Sequence, residues 1–210
     1  MNSFKEYIQE ETNLKIQTSK FKKWTEGLPM IVLDSDDKAT LPKTGFIIKA
    51  YHGTEKGGFN KFDTNRTGYH YGEGSYFTPQ SAHALGYAKG KGSWYTKGYS
   101  KESRLYVTYI KIKKPFITTS DEGVMSIAHK LYNDNPNAYK TLQIRVQNLK
   151  GYDNPNSAGM SELGNKLLRD QGYDGVVKQW PNGQIIELVV FYPEQIFIIQ
   201  KLRRTQYEHI

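Results

Sequence analysis

The sequence predicts an α+β fold of mainly antiparallel strands with short helices between them. Three observations support this fold class. Short apolar segments with the length and composition of strands recur between residues 46 and 202. Helical patterns separate some of these segments, but strand and helix do not alternate strictly, as they would in a parallel sheet. The length of 210 residues is sufficient for one large domain, or for one domain with an extension.

Composition excludes several kinds of site. The chain has 29 Lys and Arg against 21 Asp and Glu, which gives a formal net charge of +8. It has no cysteine, so a disulfide framework and a thiolate nucleophile are both excluded. Its 5 histidines lack the spacing of paired metal ligands, and we expect no metal site. We find no signal-peptide core and no apolar run of membrane length, so we expect a cytoplasmic protein without a membrane partner.

Residues 1–43 are predicted to form a separate, partly helical extension. A capping-box sequence near the N-terminus predicts a first short helix, and Phe21 and Trp24 have the spacing of a second. The polar run 34–38 has the composition of a linker or an exposed loop. The main domain is therefore predicted to occupy 44–210.

The main domain begins with a strand and continues through strands and short helices. The predicted strands lie at 46–51, 75–78, 105–112, 175–178, 185–191 and 196–202. The predicted helices lie at 79–88, 120–132, 138–149 and from 161 to a C-cap at Gly172. A glycine-rich loop connects the first two strands over residues 55–74.

A His-Gly pair follows the first predicted strand, in the sequence Tyr51-His52-Gly53-Thr54. Such a pair is usually an ordinary junction between a strand and a turn, so alone it indicates little about function. Its significance depends on what else the fold brings beside it.

Two tyrosines flank the start of the next helix. Tyr76 lies in the segment GEGSYFT at 72–78, and Tyr87 lies on the helix that follows. The pattern has two interpretations: a glycine turn with two core tyrosines, or an aromatic slot that holds a flat ring between two π-faces.

A carboxylate occurs within an apolar strand, at Glu187 in the run IIELVVF. A buried carboxylate costs free energy unless it is paired or has a function. The alternative is a glutamate on the solvent face of an edge strand. The sequence leaves both interpretations open at this point.

Taken together, the three segments resemble the His-Tyr-Glu signature of the diphtheria-toxin and poly(ADP-ribose) polymerase class of ADP-ribosyltransferases. More narrowly, they resemble the ART-PolyVal domains of polyvalent proteins from phages and mobile elements. The matching stretches are YHGTEKGGFNKFD (51–63), GEGSYFTPQSAHALGYA (72–88), VTYIKIKKPF (107–116), QGYDGVV (171–177) and ELVVFYPEQI (187–196). The resemblance implies an ADP-ribosyltransferase-like split β-sandwich over 44–210, with NAD as the ADP-ribose donor.

The resemblance assigns catalytic roles to three residues. His52 is expected to hydrogen-bond a hydroxyl of the adenosine ribose, and Tyr76 to form one wall of the nicotinamide slot. Glu187 is expected to bind the 2′-hydroxyl of the nicotinamide ribose. Because that ribose becomes oxocarbenium-like when nicotinamide leaves, a fixed carboxylate would stabilise the positive charge as it develops.

Four further residues are implied to bind NAD. Gly53 matches the glycine whose backbone holds the nicotinamide amide, and Thr54 follows it. Tyr87 matches the second wall of the ring slot. Arg66 lies in the loop 55–74, which is expected to be a flexible cover over the pyrophosphate.

Two positions depart from related enzymes. Ile185 stands where arginine-specific toxins of the sister class carry a second glutamate, so we do not expect an arginine acceptor. Ala84 stands where polymerase members carry a serine that contacts the nicotinamide amide, which is expected to weaken NAD affinity. We expect transfer of a single ADP-ribose rather than chain elongation.

A basic and aromatic segment follows the helix that carries Tyr87. Its candidate acceptor-binding residues are Lys91, Trp94, Tyr95, Lys97, Tyr99 and Lys101. Lysines and aromatic rings on a glycine-rich loop suit single-stranded nucleic acid. A solvated loop with incidental aromatic residues is the alternative, and a protein acceptor competes with a nucleic acid.

The function predicted from these residues is mono-ADP-ribosylation of a nucleic acid or a protein, by a phage or toxin-type effector. Two other functions are compatible with the sequence. The chain could be a catalytically silent module that binds NAD or ADP-ribose, or an NAD-dependent RNA 2′-phosphotransferase. The oligomeric state is left open.

Overall fold

Two four-stranded β-sheets form the framework of the protein. The computed structural model describes residues 12–42, 44–65, 73–89, 100–119, 136–137, 140 and 168–207. The strands are β1 (Met30–Ile31), β2 (Phe46–Thr54), β3 (Ser75–Phe77), β4 (Arg104–Ile112), β5 (Pro115–Thr118), β6 (Gly175–Gln179), β7 (Ile185–Val190) and β8 (Ile196–Arg203). The helices are α1 (Ser19–Thr25), α2 (Ser81–Ala88) and α3 (Arg204–Tyr207), and a 3₁₀ turn spans Pro193–Gln195.

The strand order confirms the predicted α+β class. One sheet has the order β1-β2-β4-β8 and the other has β3-β7-β6-β5. β1 pairs with β2 in parallel and β5 pairs with β6 in parallel, while the other pairings are antiparallel. β2 and β4 are in register from the pair Phe46 and Ile112 to the pair Thr54 and Arg104, and this long pairing places the end of β2 at one end of the sheet.

The main core lies between the two sheets. Because side chains of a strand alternate between its faces, every second residue of β2 and β7 is directed into this layer. Phe46, Ile48 and Ala50 of β2 meet Leu188 and Val190 of β7, and all of them are fully buried. The apolar run that surrounds Glu187 is therefore explained by burial on both faces of β7.

The N-terminal residues pack onto the outer face of the first sheet. Phe21 of α1 is buried against Ile47 and Tyr109, with its ring 5.1 Å from the Tyr109 ring. The helix predicted at Phe21 is confirmed, and β1 adds a strand to the same sheet. Residues 12–42 thus pack onto the sheet, while a domain boundary after residue 43 stays a prediction.

The polar run 34–38 is anchored at the start of β7. The Asp34 carboxylate accepts hydrogen bonds from the backbone N–H of Asp36 and Lys38, both at 2.9 Å. The N–H of Ile185 donates to the carbonyl oxygen of Asp37 at 2.9 Å. Of the two interpretations of this run, the exposed loop is confirmed and the linker is wrong: it is an exposed turn that holds the strand on which Glu187 lies.

The six predicted strands agree with β2, β3, β4, β6, β7 and β8 to within three residues at each end, whereas β1 and β5 were not predicted. Pro115 was expected to end a strand, and it does follow β4, but it also begins β5. The helices predicted at 120–132 and 138–149 fall almost entirely outside the described residues. The helix predicted from 161 is described only at 168–170, and it is followed by Gly172 with φ +76°. Within the described part of the chain, no helix is long and apolar enough to cross a membrane.

Candidate active site

A cleft opens where β2 and β3 come together. The two strands are joined by a pair of backbone hydrogen bonds, Tyr51 N–H to Thr78 O at 2.8 Å and Thr78 N–H to Tyr51 O at 3.0 Å. Beside this bridge lies a cleft of about 550 Å³, within the size range of pockets for small molecules. Its lining includes six of the residues singled out in the sequence: His52, Gly53, Thr54, Tyr76, Tyr87 and Glu187. Arg66 lies outside the described residues.

The imidazole of His52 is fixed by the backbone of the neighbouring sheet. Its Nδ1 lies 2.7 Å from the carbonyl oxygen of Tyr76. A carbonyl oxygen can only accept, so Nδ1 must carry the hydrogen, and in the neutral ring Nε2 then has the acceptor lone pair. The ring is also held edge-on against Phe62, at 5.0 Å between ring centroids. These two contacts favour one orientation of the ring and, in its neutral form, the tautomer with the hydrogen on Nδ1.

The two tyrosines differ in burial. Tyr76 on β3 is half-buried and packs against the cluster that contains Val189 and Phe191. Tyr87 on α2 is 42% exposed, and its ring lies 5.4 Å from that of His83. A 42% exposed ring is not a core side chain, so the interpretation of both tyrosines as core residues is wrong for Tyr87. Both line the cleft.

Gly53 contacts helix α2 through its Cα. A Cβ atom at this position would lie 1.7 Å from the carbonyl oxygen of Ala84, a distance that real atoms do not adopt. Only glycine therefore allows α2 to lie where it does, with Tyr87 at the cleft. No pattern in the sequence indicated this packing role.

The backbone of Gly53 faces the cleft. Backbone groups alternate in direction along an antiparallel strand, and the N–H groups of Ile47 and Tyr51 donate away from β4, to Pro29 and Thr78. Gly53 follows in the same alternation, so its N–H and C=O are directed toward the same edge as those of Tyr51. A ligand amide could be held there by two backbone hydrogen bonds.

Glu187 lies on an interior strand. β7 is flanked by β3 and β6, so the alternative of a glutamate on an edge strand is wrong. Burial raises the pKa of Glu187 from 4.5 to about 7, while the positive charge of Lys178 on β6 acts in the opposite direction. This carboxyl group therefore titrates near neutrality, and a cation placed beside it would favour the ionised form.

The first part of the loop 55–74 is packed against the sheet. Phe62 is 5% exposed and lies in the main core. Gly58 donates its N–H to the hydroxyl of Tyr106 at 2.9 Å, and Gly57 donates to the carbonyl oxygen of Glu102 at 2.8 Å. The prediction of a flexible cover is wrong for 55–65. The spacing of Phe59 and Phe62 in the sequence is the signal that would have indicated packing.

Most of the predicted acceptor-binding residues are not described by the structure. Lys91, Trp94, Tyr95, Lys97 and Tyr99 fall outside the described ranges, so their role stays a prediction. Lys101 is described and exposed, and it is not among the residues that line the cleft. Two lysines that sequence reasoning missed, Lys56 and Lys61, do line the cleft and are exposed.

Comparison with known proteins identifies one family. A family model described as "ADP-Ribosyltransferase in polyvalent proteins", ART-PolyVal, matches residues 43–202. No curated protein matches the chain. Among solved structures, a crystal structure of an anti-CRISPR protein is similar with a TM-score of 0.34 and 13% identity, over 78% of this chain and 100% of that one.

Proposed function

The chain belongs to the family of ADP-ribosyltransferases in polyvalent proteins, and on this premise we propose that it cleaves NAD and transfers one ADP-ribose to a macromolecular acceptor. The observation that carries the proposal is the meeting of His52, Tyr76 and Glu187 in one cleft. Each comes from a different strand, and each has the side chain that this reaction needs.

The aromatic residues suit the nicotinamide ring. Nicotinamide in NAD is flat and positively charged, and a cation over an aromatic face is attracted to it. Tyr76 and Tyr87 supply two such faces at the cleft, and the backbone of Gly53 supplies a donor and an acceptor for the carboxamide group. The ring is then held in a fixed orientation relative to Glu187.

The carboxylate of Glu187 suits the ribose. When the bond between nicotinamide and ribose breaks, its electron pair leaves with nicotinamide and positive charge develops on the anomeric carbon. An ionised Glu187 would stabilise this charge and accept a hydrogen bond from the 2′-hydroxyl. The cationic ring and the developing charge both favour the ionised carboxylate. A nucleophile of the acceptor then bonds to the anomeric carbon and loses its proton.

His52 suits the other half of the dinucleotide. With its Nδ1 hydrogen donated to Tyr76, its Nε2 is an acceptor for a ribose hydroxyl of the adenosine part. Lys56 and Lys61 line the same cleft and could balance the two negative charges of the pyrophosphate. The donor would therefore extend from the tyrosine pair toward these lysines.

For the acceptor we propose a nucleic acid, with a protein as the competing class. The support is the composition of 89–104, where lysines alternate with aromatic residues as in binders of single strands. A role as a phage or toxin-type effector in the cytoplasm belongs to the same proposal. The effector role depends on which macromolecule the protein modifies.

The test combines a donor assay with an acceptor assay. Purified protein is incubated with NAD, and nicotinamide release is measured for the wild type and for Glu187→Gln. Labelled NAD is then added with a cell lysate, and the labelled product is digested with nuclease or with protease. Loss of label with nuclease alone supports a nucleic-acid acceptor, and loss with protease alone overturns it.

The same assays separate the competing functions. A silent binding module would bind NAD without releasing nicotinamide under any condition. An RNA 2′-phosphotransferase would consume NAD only when RNA with a 2′-phosphate is added. Nicotinamide release without such RNA, abolished in Glu187→Gln, distinguishes the proposed transferase from both.

A further inference from the structure

Lys178 faces Glu187 across the β6–β7 strand pair. The two residues are directly opposite in the antiparallel register. Side chains opposite each other in this way lie on the same face of the sheet, with Cβ atoms roughly 4.5–5.5 Å apart. The ladder becomes irregular immediately after Lys178, but the pair itself lies within the regular part. The lysine is thus placed beside the carboxylate by backbone pairing.

A second contact keeps the ammonium group near the strand pair. The Nζ atom of Lys178 lies 5.4 Å from the centre of the Trp180 ring, in a cation–π arrangement. Trp180 lies in the hairpin that connects β6 to β7. Its backbone N–H donates a hydrogen bond to the carbonyl oxygen of Gln184 at 2.8 Å, which closes the hairpin at this residue. This contact holds the ammonium group at the hairpin end of the β6–β7 strand pair.

Within the described part of the chain, the other charged or titratable groups that border the cleft come from β2, β3, α2 and the loop after β2. They are Tyr51 and His52 on β2, Tyr76 on β3, His83 and Tyr87 on α2, and Glu55, Lys56, Lys61 and Asp63 in the loop after β2. The exposed Lys56 and Lys61 are solvated, which weakens their charge at a distance. Lys178 is different, because it lies directly opposite Glu187 in the strand ladder. Among the described residues, its charge opposes the effect of burial on the pKa of Glu187.

We propose that Lys178 is a positioning residue that increases the ionised fraction of Glu187 before the donor binds. This inference rests on the proposed function, because it assigns Lys178 a task in preparing Glu187 for that reaction. Lys178 acts through Glu187 and does not touch the donor. Its effect is greatest below neutral pH, where the carboxyl group would otherwise be protonated.

The test replaces Lys178 with methionine and with arginine. In Lys178→Met, the low-pH limb of the plot of kcat/KM for NAD against pH should shift to higher pH by about 0.5–1 unit, as expected for the loss of one neighbouring charge. The rate at pH 6 should then fall roughly three- to ten-fold. Lys178→Arg should restore the wild-type profile because the charge is kept. Lys22→Met, on the exposed side of α1, removes the same charge far from the cleft and should leave the profile unchanged.

A second readout does not depend on activity. The side-chain carboxyl of Glu187 is titrated by carbon NMR, with Glu187→Gln to assign its signal. Its midpoint should rise in Lys178→Met and not in Lys22→Met. Unchanged midpoints in Lys178→Met, with a folded protein, would overturn the inference even if the wild type proved active. A wild type that releases no nicotinamide would instead contradict the proposed function, and the titration would still decide the role of Lys178.

Discussion

The Nδ1 atom of His52 lies 2.7 Å from the carbonyl oxygen of Tyr76. The two residues belong to different sheets, so this hydrogen bond ties the β2 side of the cleft to the β3 side. It also links two residues of the proposed catalytic set directly. The backbone of one orients the ring of the other, and a shift of β3 would turn the imidazole away from its place.

The tautomer of His52 can be tested directly. We expect the neutral ring to carry its hydrogen on Nδ1, because the Tyr76 carbonyl cannot donate. Nitrogen NMR of the imidazole at pH 8 should then show a protonated Nδ1 and a bare Nε2. The opposite assignment in the free protein would contradict the geometry described for the cleft.

Replacing the carboxylate should abolish most activity. Glu187→Gln keeps the size of the side chain but removes the charge that would stabilise the ribose cation. We expect nicotinamide release to fall roughly 100-fold or more, which corresponds to about 3 kcal/mol. The measurement is the single-turnover rate at saturating NAD, with circular dichroism to confirm folding. Turnover of Glu187→Gln close to that of the wild type would contradict the catalytic role assigned to Glu187.

The same substitution should stabilise the protein at neutral pH and above. The folded-state pKa of Glu187 is raised from 4.5 to about 7, so between these values the folded protein binds more protons than the unfolded chain. The free energy of unfolding therefore falls as pH rises through this window. Glu187→Gln removes that loss and should gain roughly 1–3 kcal/mol at pH 8.

The gain in the free energy of unfolding of Glu187→Gln should disappear below pH 4.5, where the carboxyl group of the wild type is protonated in both the folded and the unfolded state. Urea unfolding at pH 4 and pH 8 measures it. Glu102→Gln, at an exposed position, is the matched control and should show no such difference between the two pH values. Equal stability of wild type and Glu187→Gln at pH 8 would mean that the carboxylate is solvated rather than buried.

The tyrosines should contribute to NAD affinity separately. Tyr76→Ala and Tyr87→Ala each remove one aromatic face, and each face is expected to contribute roughly 0.5–1.5 kcal/mol beyond burial. Calorimetric titration of the folded variants with NAD measures the effect. Phenylalanine at either position keeps the ring and should bind much as the wild type does. Unchanged affinity for NAD in both alanine variants would mean that the nicotinamide ring does not bind between these tyrosines.

Two glycines around helix α2 should respond in opposite ways to alanine. Gly53→Ala would drive a methyl group into the Ala84 carbonyl, and we expect a loss of roughly 2–4 kcal/mol in stability or displacement of α2. Gly86→Ala lies within α2 with nothing within 4 Å of the new methyl group. It should stabilise the helix by about 0.5–1 kcal/mol. Thermal unfolding of both variants makes the comparison, and a tolerated Gly53→Ala would contradict the packing described.

Much of the fold could be predicted from the sequence because most strands carry a pattern of mainly apolar, β-branched and aromatic residues. The segments around Glu187 and at 105–112 have that pattern, and both are strands. The pairing of Lys178 with Glu187 was not accessible, because it depends on the register of a hairpin with an irregular ladder. The contact of Gly53 with Ala84 was also hidden, since it joins a strand end to a helix that the sequence places only approximately.

If a relative of this protein lost its enzymatic activity, Gly53 would be retained but Glu187 would not. The glycine is required for α2 to pack against β2, so folding alone would keep it through any loss of activity. The glutamate makes the folded state less stable at neutral pH, so folding would not retain it once activity was lost. The presence of a His-Gly pair would therefore not distinguish active enzymes from inactive relatives. The acidic residue on β7 would be the informative one.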